Sequence, residues 1–326
     1  MKKHLSLAAF LLASACATST ATPQQRRWDD VAAALGKAGG VQPGNVYRVG
    51  FPRTDLDVRI GDVQLKPGLA LGSWAAFLQL PGHAMVMGDL VLTENEVNEV
   101  ISTLQAGGIE QTALHNHVLR ESPRVMYLHF GGHGDPIALA RALRAALEKT
   151  GTPFAAPGAP PASIDLPTAE LDAALRSTGK INAGAYQFAI ARAERIVEHG
   201  VEIPPAAGIA TAINFQSTGN GRAAISGDFV LLASEVNPVI RALRDGGIDV
   251  TALHSHMLDE QPRLFFMHFW ANDDALKLAR TLRAALDRRR RGSRGAVRRR
   301  PGSGCRSPPA RRDRRWRVRA ASRRRA

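Results

Sequence analysis

The sequence predicts an α+β protein built as two tandem homologous units, each a mainly antiparallel sheet with helices packed on it. Two observations carry this: a long segment that recurs at a fixed offset, and the alternation of two-residue with 3.6-residue apolar periodicity inside each copy. Gln111-Thr-Ala-Leu-His-Asn-His-Val-Leu returns as Val250-Thr-Ala-Leu-His-Ser-His-Met-Leu, 139 residues later. The same offset carries Gly88-Asp89 onto Gly227-Asp228 and Glu96-Val97-Asn98 onto Glu235-Val236-Asn237. It also carries Gly107-Gly108-Ile109 onto Gly246-Gly247-Ile248 and Pro123-Arg124 onto Pro262-Arg263. Upstream, Leu35, Gly39 and Gly44 find Leu175, Gly179 and Gly184 at an offset of 140.

Each copy opens on a short helix, over residues 29–37 and 169–176. Alternating segments follow at 45–49, 71–79 and 83–92, matched by 186–190, 210–216 and 223–232, and these predict antiparallel strands. A helix with apolar spacing at Val97, Ile101 and Leu104 (Val236, Ile240 and Leu243) closes on Gly-Gly, a helix-ending signal. Strands at 111–119 and 125–130 then form a hairpin whose turn contains Pro123. The last helix, 135–147, begins with Asp135-Pro136, an N-cap followed by proline at the first helical position, and copy 2 offers Asp273-Asp274. Helix, strands, helix, hairpin, helix is an α+β order.

The chain divides into a signal segment (1–15), unit 1 (26–150), a Pro/Ala-rich linker (151–167), unit 2 (168–287) and an Arg-rich tail (288–326) expected to be disordered. The net charge of +14 resides in that tail, which holds 18 arginines and one acid. Without it, 25 basic residues face 28 acidic ones, so the folded body has no basic footprint for nucleic acid. The tail reads either as an arm for an anionic surface or as GC-rich coding sequence out of frame, since copy 2 is complete at Leu286. Met1-Lys2-Lys3-His4, the apolar run from Leu5 to Leu12 and Ala13-Ser14-Ala15 form an export signal. Cys16 directly after it makes a lipobox-like site, with Ala13 where leucine is usual. The only other cysteine is Cys305, so no internal disulfide framework can form. The chain is therefore expected in the periplasm or cell envelope, touching the membrane only through an N-terminal lipid, with the two repeats packed on each other.

In a strand, residues i and i+2 project from one face, so His115 and His117 point the same way. If the hairpin pairs residues whose numbers sum to 244, His129 lies opposite His115 and Tyr127 opposite His117, all on that face. Leu114, Val118, Met126, Leu128 and Phe130 then form a core side. Copy 2 repeats the set as His254, His256 and His268, with Phe266 for the tyrosine. Cross-strand Cβ atoms ~5 Å apart let three imidazoles converge on one zinc, copper or iron ion. Asp89 and Asp228 are second-shell candidates to fix an imidazole tautomer. Tyr127, Glu121 and Glu260 join them, the glutamates because His-x-His-x-x-x-Glu is weakly similar to the first metal motif of cupins. Against this stands the ordinary reading of a strand histidine as a satisfied polar residue. It is weakened because neighbouring positions have diverged between copies, Arg120 to Asp259 and His133 to Asn272.

With the signal, Cys16 and the Thr-Ala-Leu-His-x-His…Pro-Arg…His-Phe motif, residues 29–286 resemble the LppY/LpqO lipoprotein family. That resemblance implies export and duplication, and supplies no reaction. Three functions remain: an envelope protein binding a metal ion or small polar ligand, a metal-dependent envelope hydrolase, or a structural module whose histidines face each other across a pseudo-twofold interface. No Gly-x-Ser-x-Gly elbow, P-loop, dinucleotide fingerprint or His-Glu-x-x-His is present.

Overall fold

The computed structural model describes residues 22–155 and 163–295. The signal segment, Cys16, part of the linker and residues 296–326 of the tail lie outside them. Unit 1 runs α1 (Pro23–Leu35), β1 (Gly40–Gln42), β2 (Val46–Pro52), β3 (Arg59–Ile60), β4 (Val63–Gln64), β5 (Gly72–Leu80), β6 (His83–Thr93), α2 (Val97–Ala106), β7 (Glu110–His115), β8 (Val125–Gly134) and α3 (Pro136–Leu147). Unit 2 repeats it as α4 (Thr168–Leu175), β9 (Lys180–Asn182), β10 (Ala185–Ile190), β11 (Val197–Glu198), β12 (Val201–Glu202), a 3-10 turn (Pro205–Ala207), β13 (Thr211–Gly219), β14 (Arg222–Leu232), α5 (Ala233–Asp245), β15 (Asp249–His254), β16 (Leu264–Asp274) and α6 (Ala275–Gly295). Each unit forms a six-stranded sheet, in the orders β1-β2-β5-β6-β8-β7 and β9-β10-β13-β14-β16-β15, and all pairs within these sheets are antiparallel.

Local chemistry starts the last helix of each unit where the sequence predicts, whereas α1 begins at Pro23, capped by Thr22, six residues before the predicted start at 29. Asp135 Oδ1 accepts the Ile137 and Ala138 amides at 3.0 and 2.9 Å, with Pro136 at the first position. Asp274 Oδ1 accepts the Lys277 amide at 2.7 Å. The buried stripe of α2 is Val97, Val100 and Leu104, with Ile101 only partly covered, so the face turns slightly from the predicted one. α6 continues past the predicted end at Leu286 to Gly295. Arg289 is buried there and donates to Thr211 Oγ1 at 2.9 Å, so the first residues of the tail belong to the fold.

The central strands explain how two units become one body. β6 is buried on both faces. Val86, Leu90 and Leu92 join Trp28, Phe51, Phe77 and Leu143 under the helices, whereas Met85, Met87 and Val91 point the other way. Met85 and Met87 meet Ile203, Ile209 and Phe266 of unit 2, and Val91 and Tyr127 share a cluster with Trp270. The helix-free faces of the two sheets therefore bury each other, giving layers helix, sheet, sheet, helix. A strand apolar on both faces needs such cover. Reciprocal hydrogen bonds pin the join: Thr112 Oγ1 donates to His256 O at 2.6 Å and Thr251 Oγ1 to His117 O at 2.5 Å.

The hairpin differs from the predicted one. β7 ends at His115, which pairs with Tyr127, while Ala113 pairs with His129, a sum of 242. A bulge between Gln111 and Ala113 and a longer connection, with cis peptides at Ser122-Pro123 and Gln261-Pro262, accompany the shift. A displacement of two residues preserves strand parity, so the histidines stay on one face. The predicted core side is only partly right. Leu128 and Phe130 are buried under the helices, but Leu114 is 46% exposed and Val118 belongs to the inter-unit cluster.

Candidate metal centre

The two histidine triplets come together. Their strands lie back to back at the centre of the join, so His115, His117 and His129 meet His254, His256 and His268. His115 and His254 stack with ring centroids 3.7 Å apart, flanked by His117 on His268 at 3.8 Å and His129 on His256 at 3.7 Å. The pairing follows an approximate twofold, as the duplication requires. His115 Nε2 lies 3.2 Å from His268 Nε2. Two nitrogens bound tetrahedrally to one ion at 2.0–2.1 Å are about 3.3 Å apart.

His129, His256, His268, Asp89 and Asp228 are buried and His115, His117 and His254 partly so, and backbone geometry has chosen two tautomers. His129 Nδ1 faces Gly88 O at 3.2 Å and His268 Nδ1 faces Gly227 O at 2.8 Å, so each carries its proton on Nδ1 and keeps an Nε2 lone pair for the centre. Asp89 and Asp228 precede these rings across the ladder, paired with His129 and His268. Asp89 Oδ2 lies 3.3 Å from His117 Nε2 and 3.9 Å from His129 Nε2. Asp228 Oδ2 lies 2.9 Å from His256 Nε2. These contacts are close without the angles of hydrogen bonds: His117 Nε2, His129 Nε2, His256 Nε2, Asp89 Oδ1 and Asp228 Oδ1 are buried with no hydrogen-bond partner among the described residues. Buried polar atoms ordinarily have one.

Among the described residues, four sets bring ligand atoms within 4.8 Å of one another: His115, His117 and His268; His115, His129 and His254; Asp89, His117 and His129; Asp228, His254 and His256. Two of them mix copies, so the predicted pair of separate sites becomes one composite cluster. The aspartates stand among the potential ligands themselves, not behind them. Burial drives every ring below the ordinary histidine range, His256 down to about 3, and neighbouring rings add repulsion for His117, His129, His254 and His268. Burial also pushes the Asp228 carboxyl well above the usual carboxylate range. Neutral imidazoles with free lone pairs beside carboxyls short of a cation are the donor set a divalent transition metal takes.

The other predicted residues act elsewhere. Tyr127 is fully buried, donates to Ala70 O at 2.8 Å and lays its ring on His117 at 3.3 Å; Phe266 covers His256 at 3.5 Å. Both rings fix imidazole planes. Glu260 accepts the Leu264 amide at 2.8 Å and pairs with Arg263 at 3.2 Å, so it organises the hairpin turn. Neither Glu121 nor Glu260 enters a ligand set, because the turn carries them off the histidine face. Arg124 pairs with Glu94 at 3.8 Å in solvent. Sequence reasoning missed Arg53 and Arg192, which anchor Glu96 and Glu235 at 2.8 Å each. The offset of 139 relates the two pairs and could have revealed them.

A cavity of about 790 Å³ lies between the units and reaches the cluster at Asp89, His117, His129, Asp228, His256 and His268. A bound ion there would meet any molecule occupying the cavity.

No curated protein matches this chain. The crystal structure of a trimeric bacterial microcompartment shell protein, PduB, aligns over 80% of this chain and 94% of its own at 13% identity, with a TM-score of 0.21. The family model described as Domain of Unknown Function (DUF1259) matches residues 29–149 and 169–288, once per unit, and the chain belongs to that duplicated family.

Proposed function

We propose that this is an exported cell-envelope protein whose two units jointly hold a divalent transition-metal ion, zinc, copper or iron, in the buried histidine–aspartate cluster. The observation that carries the reading is the convergence of six imidazoles and two carboxyls, in which five of the rings and both carboxyls keep a buried polar atom with no hydrogen-bond partner among the described residues. Such an ion, when bound, would supply Lewis acidity. The protein residues set the rest: Gly88 and Gly227 carbonyls orient His129 and His268, and Tyr127 and Phe266 wall the rings. Export and lipidation at Cys16 rest on the signal segment and on the resemblance to the LppY/LpqO lipoproteins. Among the described residues no helix is long and apolar enough to cross a membrane.

The test is elemental analysis of protein purified without chelator, wild type against His115→Ala/His117→Ala. One shared centre predicts near-complete metal loss in the variant. Retention of half the metal restores two independent sites, and absence of metal from the wild type favours the purely structural module. A hydrolase is the second reading, favoured by the cavity that reaches the cluster. It requires turnover of ester, phosphodiester or peptide substrates that is lost with the metal.

A further inference from the structure

Arg48, half-buried in β2, differs from the two arginines that follow β2 and β10 with nearly fully buried side chains. Arg53 lies against Asp55 and Glu96, and Arg192 against Glu194 and Glu235. Arg48, which lines the cavity, has no carboxylate within 4 Å among the described residues. Its Nη1 donates to Ala206 O at 2.9 Å and its guanidinium lies 3.8 Å from the Trp74 ring centroid. The Nε and Nη2 edge has no hydrogen-bond partner among those residues. Burial lowers its pKa to about 10 against the attraction of Asp89, the one acid that acts on it from beyond ion-pair distance, which leaves it charged at neutral pH. The Nε and Nη2 atoms are not among the buried unpartnered ones, so that edge of the guanidinium opens on the cavity and is available to a ligand.

The position is not required by the architecture. Arg48 pairs with Ala76 across the ladder, and the equivalent pair in unit 2 is Gln187 with Asn214. Gln187 Nε2 is committed to Gly68 O at 2.6 Å, and Asn214 Nδ2 to Leu69 O at 3.1 Å. Trp74, paired with Asp89, corresponds to Ala212, paired with Asp228. The arginine on its aromatic platform is thus particular to the first copy. Leu69, Ala70, Phe188 and Pro204 supply apolar wall to the same cavity. The free edge of a guanidinium matches a carboxylate in two parallel hydrogen bonds, and Trp74 offers a flat surface to an apolar body.

We propose that the inter-unit cavity binds a small organic carboxylate, its acid group on the Nε/Nη2 edge of Arg48 and its apolar body along Trp74 towards the histidine–aspartate cluster. The carboxylate site stands on Arg48 and the cavity. Only its role as ligand or substrate of a metal ion rests on the function proposed above.

The test is calorimetric titration of the full chain with benzoate and hexanoate, with benzamide as the neutral isostere and inorganic phosphate as an anion lacking an apolar body. Wild type, Arg48→Gln and Arg48→Lys are compared, each before and after stripping with chelator. At least one of the two carboxylates is expected to bind wild type, at least tenfold more weakly to Arg48→Gln, with unchanged metal content in that variant. Benzamide is expected to bind no better to wild type than to Arg48→Gln, and phosphate more weakly than the better carboxylate. Failure of both carboxylates to bind wild type overturns the proposal, as does equal affinity for wild type and Arg48→Gln. Should Arg48→Gln not fold, the benzoate-to-benzamide ratio in wild type and the loss in Arg48→Lys decide. Arg48-dependent binding that survives stripping upholds the carboxylate site even where the metal reading fails.

Discussion

Acidifying the metal-free protein from pH 7.5 to 5.5 should destabilise it steeply. His129, His256 and His268 are 3%, 6% and 2% exposed, and burial holds each below the ordinary histidine range, His256 at about 3. These rings stay neutral in the folded state, while unfolded histidines take up protons below about pH 6.5. Their contribution is therefore fully present above that pH and is lost as pH falls towards the folded values. Each ring costs about 1.4 kcal/mol over the interval, so the three together cost about 4 kcal/mol, a large part of the 5–15 kcal/mol typical of a domain. His115, His117 and His254 shift the same way and steepen the loss. Asp228 opposes it: a carboxyl raised in the folded state gains stability on acidification, by at most about 2.7 kcal/mol over two pH units. Asp228→Asn removes that opposition. Urea unfolding in chelator at pH 7.5, 6.5 and 5.5 should show Asp228→Asn losing about 4 kcal/mol or more, and wild type losing less. A flat or rising stability in the variant would refute the claim that these rings are buried neutral. Added metal should move the loss to lower pH, because protons then compete with the ion.

His254→Ala should reduce metal content as severely as His115→Ala, because the two rings stack at the centre, while His133→Ala, in an exposed position, should leave it unchanged; elemental analysis checks both. Arg192→Met should cost roughly 3–5 kcal/mol in chemical denaturation by stranding Glu235, whose side chain is 1% exposed, and Arg192→Met/Glu235→Gln should recover part of that. Gly227→Ala places a Cβ 2.1 Å from Ala212 O and 2.7 Å from Phe269 Cζ, so it should lose at least about 1–3 kcal/mol and displace Asp228, seen as weaker metal retention.

The histidines were legible because parity survives error. The predicted pairing of His115 with His129 was off by two residues, yet an even shift leaves every side chain on its face. The aspartates were found by the repeat and by their place beside a strand glycine, but not their nearness to the rings, which depends on the β6–β8 and β14–β16 ladders. Leu114 was misjudged as core because its outward face is covered by a helix at Leu128 and Phe130 but not at the sheet edge. Arg48 had no sequence signal at all, since its counterpart is Gln187 and a single arginine in a short strand reads as a surface residue.

Repetition, capping and strand parity are properties of neighbouring residues, so the chain alone determined two like units, the helix starts at Asp135 and Asp274, and three imidazoles per unit on one sheet face. Whether those faces would look at solvent or at each other was decided only when β6 and β14, apolar on both sides, had to bury their second faces. That burial joins residues about 140 apart, and no local pattern encodes it. It turned two triplets into one cluster and left Arg48 facing a cavity.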